Sequence, residues 1–176
     1  MSHGYVSLVK VNHRSTAILD IGSGPTEGKH SCFNCENTIH VDVNRNAYHL
    51  EVQCDAHFLP FRSGCFDLVH ISHVLEHVES PFQVLREISR VSHAAIVSVP
   101  NASYYRLFSC SPEHIYGWTT FDFENLLRRH FSDVKVYGSY RIDSSGKGLT
   151  KKFKTLKTYI LAFLFRTNEL TAICRN

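Results

Sequence analysis

Four small groups of residues in this chain have the types and spacing for chemistry. An acid and two glycines stand together in Asp20-Ile21-Gly22-Ser23-Gly24. Two further acids, Asp42 and Asp55, each close a short, largely apolar run. His73-Val74-Leu75-Glu76-His77 puts two imidazoles and a carboxylate within one turn's length, and Cys32-Phe33-Asn34-Cys35 pairs two thiols. Glycines one residue apart, straight after an apolar run, permit positive φ angles and leave no Cβ in a ligand's way. Carboxylates only accept hydrogen bonds, so they suit ribose hydroxyls, exocyclic amines and ammonium groups. Thiol pairs and H-x-x-E-H spacing suit a metal ion.

Phosphate is a poor fit to the glycine turn. A P-loop needs a hydroxyl residue after Gly28-Lys29, where His30 stands, and a glycine where Ser23 stands. The dinucleotide fingerprint G-x-G-x-x-G needs a third glycine, and Glu27 occupies that place. A carboxylate there would also repel a pyrophosphate. Asp20, Asp42 and Asp55 together instead suit a positively charged adenosine ligand without phosphate. Asp42 would accept from the ribose, Asp55 from the adenine amine, and Asp20 would hold an ammonium group.

The elements that must position these residues alternate along the chain. Short apolar, β-branched runs at 17–21, 38–43, 51–55, 66–71, 94–99, 133–137 and 170–174 read as strands, with Tyr5–Val9 a possible small one before them. Such runs fit strands buried on both faces. Ser80-Pro81 starts a helix, serine capping and proline at the first helical position, with Val84, Leu85, Ile88 and Val91 on one face. Thr119-Thr120-Phe121-Asp122 starts another, backed by Phe123, Leu126, Leu127 and Phe131. A third stripe runs through Leu149, Phe153, Leu156, Ile160 and Phe163. The segment between Gly24 and Thr38 holds Pro25 and Gly28, so any helix there is short or irregular. Strands alternating with helices predict a parallel α/β sheet.

Composition sets the outer bounds. A chain of 176 residues with 43% hydrophobic and 20% charged residues is one ordinary globular domain. A net charge of +3 is too small to argue for nucleic acid by itself. The longest apolar run, Tyr159 to Phe165, is too short for a membrane span, and no signal sequence is evident. The expected location is therefore cytoplasmic, with six reduced cysteines.

Taken in order, the segments Ile18 to Pro25, His40 to Asn44, Cys54 to Phe61 and Phe66 to Val78 resemble the class I S-adenosylmethionine-dependent methyltransferases, and among them the small-domain, quinone-biosynthesis-like group. The resemblance spans residues 17 to about 131. It implies a Rossmann-like, mostly parallel seven-stranded sheet of order 3-2-1-4-5-7-6, its last strand antiparallel, flanked by helices. It also implies S-adenosylmethionine as cofactor.

By resemblance, Asp20, Gly22, Ser23 and Gly24 border the methionine part of that cofactor. Asp42, Val43 and Asn44 hold the ribose, and Asp55 and Ala56 contact the adenine. Ile71, Ser72 and His73 lie below the sulfonium, with His77 near the cofactor loop. His73 and His114 are the candidate bases. The phrase Val-Leu-Glu-His-Val recurs in this group without zinc, so no metal is expected at H-x-x-E-H, and Cys32 and Cys35 read as free thiols.

The expected function is methyl transfer to a small-molecule acceptor within a single domain, 1–176. The aromatic segment 101–118 is a plausible cover for that acceptor. A basic, helical insertion at about 141–166 belongs to a stretch, Lys135 to Lys157, with seven basic residues and one acid. It leaves RNA or protein methylation as the alternative, nucleic acid being possible but not favoured, beside a non-catalytic binding module. No Asn/Asp-Pro-Pro-Tyr/Phe motif is present, which argues against methylation of amino groups on DNA bases or glutamine.

Overall fold

The computed structural model describes residues 16–24, 37–47, 49–103, 112–139 and 169–176. Among them, seven strands form one sheet: β1 (Ile18–Ile21), β2 (Thr38–Asp42), β3 (Val52–Gln53), β4 (Leu68–Ser72), β5 (Ala94–Pro100), β6 (Asp133–Ser139) and β7 (Glu169–Arg175). Their order is β3-β2-β1-β4-β5-β7-β6. β1 pairs in parallel with both β2 and β4, β2 with β3 and β4 with β5, while β7 runs antiparallel between β5 and β6. This is the order and polarity that the sequence resemblance implies.

The central position of β1 explains its composition. All four of its residues are buried, because elements cover both faces of the middle of the sheet. The outer strand β3 keeps only two residues and is half-covered. It is shorter than the expected 51–55 because Asp55 folds its side chain back onto the His57 N–H, an Asx turn that ends the ladder. β4 starts two residues later than expected, since the Asp67 carboxylate accepts from the Ala17 N–H instead of extending the strand. The last two strands run longer than expected, their seven-pair antiparallel register reaching Glu169 opposite Ser139.

Two helices pack on this frame. In α1 (Pro81–Val91) the Ser80 hydroxyl accepts from the Gln83 N–H, and Pro81, Val84, Leu85, Ile88 and Val91 are buried on one face. In α2 (Thr120–Leu127) Thr119 caps the Asp122 N–H and bonds the Asp122 carboxylate, while Phe123, Leu126 and Leu127 are buried. Both starts lie where the cap residues predict. The expected Tyr5–Val9 strand, the segment after Gly24, the third helical stripe, the basic insertion and Cys32/Cys35 fall outside the described residues. No helix among the described residues is long and apolar enough to cross a membrane.

Candidate functional site

Strands β1, β2, β3 and β4 all point the same way, so Ile21, Asp42, Gln53 and Ser72 end on one edge of the sheet. The chain grows outward from β1 to β2 and β3, then returns to place β4 on the other side of β1. Connections leave β1 and β4 in opposite directions, opening a crevice at the strand ends where open α/β sheets bind ligands. Among the described residues, the candidate site residues from Gly22 to His77 lie on or next to this edge.

The glycine turn uses both of its glycines, for different reasons. Gly22 has φ 77° and its N–H bonds the Val41 carbonyl at 2.9 Å. A Cβ on Gly22 would run into the Val74 side chain, so this glycine lets the turn after β4 pack against the turn after β1. Gly24 has φ 76°, but a Cβ there would meet nothing within 4 Å. Among the described residues, nothing crowds that side of its backbone. Ser23 between them is buried, and its hydroxyl has no hydrogen-bond partner among the described residues.

Asp42 ties this turn to the end of β2. One carboxylate oxygen accepts from the Gly24 N–H at 3.1 Å and the other from the Asn44 N–H at 2.8 Å. Each oxygen keeps a second lone pair, so Asp42 retains capacity for a ligand's hydroxyls. Val43, next to it, is 69% exposed, an apolar surface at the mouth of the crevice. Gln53, a residue that the sequence did not mark, holds this turn by donating to the Val43 carbonyl.

Asp55 and Ala56 follow β3 on the same edge. The Asp55 carboxylate accepts from the His57 N–H and pairs with the His57 ring at 2.6 Å. The backbone bond from His57 is the main cause that holds this carboxyl below its ordinary range, against the smaller opposing effect of burial. Asp55 thus stays ionised and acceptor-only. Ala56 is half-buried against the core.

Asp20 has a tie that the sequence did not show. Its carboxylate is 2% exposed and lies between two imidazoles, His40 Nδ1 at 2.9 Å and His70 Nδ1 at 2.7 Å. The sheet register dictates this contact, since Asp20 is opposite His40 on one side and His70 on the other. Each oxygen faces an imidazole of a neighbouring strand, so the structure makes Asp20 a brace across three central strands. Donation from the His40 ring to the Asp20 carboxylate raises the His40 pKa above its usual value, outweighing desolvation.

A raised histidine pKa stabilises the fold most when the histidine is protonated. That contribution is complete below the unfolded value and is lost as pH rises through the folded one. Urea midpoints of the wild type are expected to fall as pH rises above the ordinary histidine value of about 6.5, and those of His40→Gln to change less. Equal slopes for the two proteins would remove His40 from the account.

Past β4 the chain turns sharply. Ile71 is fully enclosed in the core, so only its backbone reaches the edge, while Ser72 is partly exposed. His73 has φ 55°, a left-handed conformation uncommon for this residue type and often found where a turn is held by its surroundings. Its N–H bonds the Ser98 carbonyl, and its ring lies 3.2 Å from Glu76 and 3.7 Å from Glu169. Burial alone would lower its pKa, but the Glu169 and Glu76 carboxylates overcome this and raise it to about 9. An imidazole already protonated at neutral pH is a poor proton acceptor. The structure sets His73, a candidate base by sequence, between two acids that favour its charged form. Glu169 reaches it from β7, and no local pattern in the sequence signals that meeting.

His77 and His114 come together from distant parts of the chain, their rings 4.9 Å apart and edge to face. His77 is exposed and His114 half-buried. Glu76, between them and the core, is 0% exposed. The segment carrying His114 is stapled to this turn: the Ile115 N–H donates to the Glu76 carbonyl at 2.8 Å, and the Tyr116 hydroxyl to the Glu79 carbonyl at 2.9 Å. Of the aromatic segment 101–118, the described part stacks Tyr116 on Trp118.

The sheet order, the single antiparallel strand and the glycine turn at the reversal between β1 and β4 define the fold of a class I S-adenosylmethionine-dependent methyltransferase. Residues 19–94 match the family described as a methyltransferase domain, a span that includes the glycine turn, Asp42, Asp55 and the His73–His77 turn. No curated protein sequence matches the chain.

Among solved structures, a S-adenosylmethionine-dependent methyltransferase from Archaeoglobus fulgidus is similar with a TM-score of 0.67 at 18% identity, over 98% of this chain and 91% of that one. A possible histamine N-methyltransferase from Thermotoga maritima gives 0.63 at 14%, over 91% and 81%. A S-adenosylmethionine-dependent methyltransferase from Mesorhizobium loti gives 0.60 at 16%, over 92% and 91%. At these identities the likeness to the solved structures is one of fold. S-adenosylmethionine is the cofactor that the domain match and these neighbours imply.

Proposed function

We propose that this chain binds S-adenosylmethionine in the crevice between β1 and β4 and transfers its methyl group to a small-molecule acceptor. The observation that carries the reading is the Asp42 carboxylate, which joins the glycine turn to the end of β2 while keeping lone pairs for a ribose. No described residue crowds Gly24, where a ligand's chain would pass. Val43 offers an apolar surface and Asp55 an ionised acceptor for an adenine.

The cofactor supplies an electrophilic methyl group on a sulfonium with a neutral thioether as leaving group. The protein's task is then mostly alignment of an acceptor with that methyl, which can account for a large share of the acceleration. The turn 73–77 and the segment stapled to it by Ile115 and Tyr116 stand beside the glycine turn and would shape the acceptor's side. His114, half-buried next to His77, is the better-placed candidate to take a proton from an acceptor that must lose one, since His73 is committed to two carboxylates. The modest net charge of +3 supports a small acceptor over a polyanion.

Titration calorimetry with S-adenosylmethionine and with its demethylated product tests the cofactor half, and binding of both is expected. Absence of binding by either would defeat the reading. A panel of radiolabelled methyl transfers to small phenols, amines and carboxylates, run beside total RNA and protein, tests the acceptor half. Labelling confined to RNA or protein would replace the small-molecule assignment.

A further inference from the structure

The geometry points to a divalent transition-metal site formed by Glu76, His77 and His114. One ligand atom from each of these three residues lies within 4.8 Å of the other two. The grouping goes beyond the cofactor reading and reverses the expectation, drawn from H-x-x-E-H alone, that no metal binds here. That expectation rested on the recurrence of Val-Leu-Glu-His-Val without zinc, and no ligand distant in sequence entered it. The fold supplies one, His114, from the segment that returns after β5.

Three features make this more than a chance cluster. Glu76 is 0% exposed, and its Oε2 has no hydrogen-bond partner among the described residues. A buried carboxylate oxygen left bare is costly, and a cation is the natural group to satisfy it. His77 presents Nδ1 to the Glu113 carbonyl at 3.2 Å, which requires the proton on Nδ1 and leaves the Nε2 lone pair for a metal. A backbone carbonyl on the far ring nitrogen is the usual outer partner of a ligating histidine. The frame is also built in advance: the Ile115 and Tyr116 N–H groups both donate to the Glu76 carbonyl, fixing the two ligand-bearing segments to each other.

One carboxylate and two imidazoles are borderline donors that suit zinc, cobalt, manganese or ferrous iron over calcium or magnesium. A tetrahedral ion would hold the donor atoms roughly 3.3 Å apart, a spacing within reach of atoms that already lie within 4.8 Å of one another. Three protein ligands leave a position open, as in catalytic and not structural sites, and with His114 ligating, a water in that position would replace its imidazole as proton acceptor. The ligand-bearing turn also carries Val74, which packs on Gly22, so the ion lies in the same turn that shapes the cofactor crevice.

The test uses untagged full-length protein stripped with chelator and titrated with cobalt(II) or zinc(II) alone. One ion per chain is expected, with a cobalt spectrum typical of nitrogen and oxygen donors. His77→Ala and His114→Ala should each weaken binding at least 10-fold, and the zinc-induced rise in melting temperature should vanish in both. These two side chains are exposed or half-buried, and circular dichroism of the metal-free variants verifies their folding.

No uptake by the wild type, undiminished affinity in both variants, or a thiolate charge-transfer band placing the ion on cysteines would each overturn the proposal. S-adenosylmethionine binding is measured in parallel on metal-free protein. Cofactor binding without metal uptake refutes this site alone, and metal uptake without cofactor binding refutes the methyltransferase reading alone.

Discussion

Replacing Asp42 by alanine is expected to lower the affinity for S-adenosylmethionine about 100-fold. The side chain has two tasks, and alanine removes both. Its oxygens hold the Gly24 and Asn44 N–H groups at 3.1 and 2.8 Å, which sets the shape of the turns on either side of the crevice. Its remaining lone pairs would receive the ribose hydroxyls. A hydrogen bond to a charged group contributes roughly 1.5–3 kcal/mol, and every 1.4 kcal/mol is about a factor of ten.

Asp42→Asn keeps one acceptor oxygen but turns an amide toward a backbone donor, so an intermediate loss of about 10-fold is expected. Calorimetry gives both affinities, with circular dichroism confirming that the variants fold. Asp42→Ala binding as tightly as the wild type would remove the ribose assignment. Because Asp42 is only partly buried, the loss should show in binding far more than in stability.

The second large effect concerns stability. Gly22→Ala forces a Cβ onto a residue at φ 77° and into the Val74 side chain. The left-handed backbone costs roughly 1–2 kcal/mol for a residue with a Cβ. Overpacking adds roughly 1–3 kcal/mol. A loss of about 3 kcal/mol in urea unfolding is expected, a large part of a typical domain's stability.

Val74→Ala clears the clash but not the backbone cost, so the double variant should recover about 1 kcal/mol relative to additivity. Gly24→Ala is the informative contrast. It has a similar φ but no described neighbour within 4 Å of its Cβ, so it should lose only about 1 kcal/mol of stability. Full additivity of Gly22→Ala and Val74→Ala would show that the two turns do not meet as described.

Much of the frame was legible because its signals are local. Ser80-Pro81 and the Thr119 cap mark helix starts through hydrogen bonds made within three residues, and both helices begin there. The apolar runs mark strands that must be buried on both faces, and only their ends moved. Those shifts come from side chains that compete with the backbone: Asp67 on the Ala17 N–H and Asp55 on the His57 N–H. Asp42 was legible too, because an acid closing the second strand meets the glycine turn through the topology itself.

What the sequence determined by itself was the class of sheet, the place of the glycine turn, and the three acids that argue for a phosphate-free adenosine ligand. Tertiary structure decided what those acids do. Asp20 read from the sequence as a ligand to an ammonium group, and the register of β1 against β2 and β4 adds a tie the sequence did not show, placing its oxygens against His40 and His70. His73 read from the sequence as a candidate base, and the antiparallel return of β7 brings beside it Glu169, whose carboxylate favours its charged form. His114 had no visible tie to H-x-x-E-H until the segment after β5 folded back onto Glu76. Each of these contacts joins strands or turns far apart in the chain. Spacing along a sequence reports what one element can do, whereas register and chain return decide which side chains share a space.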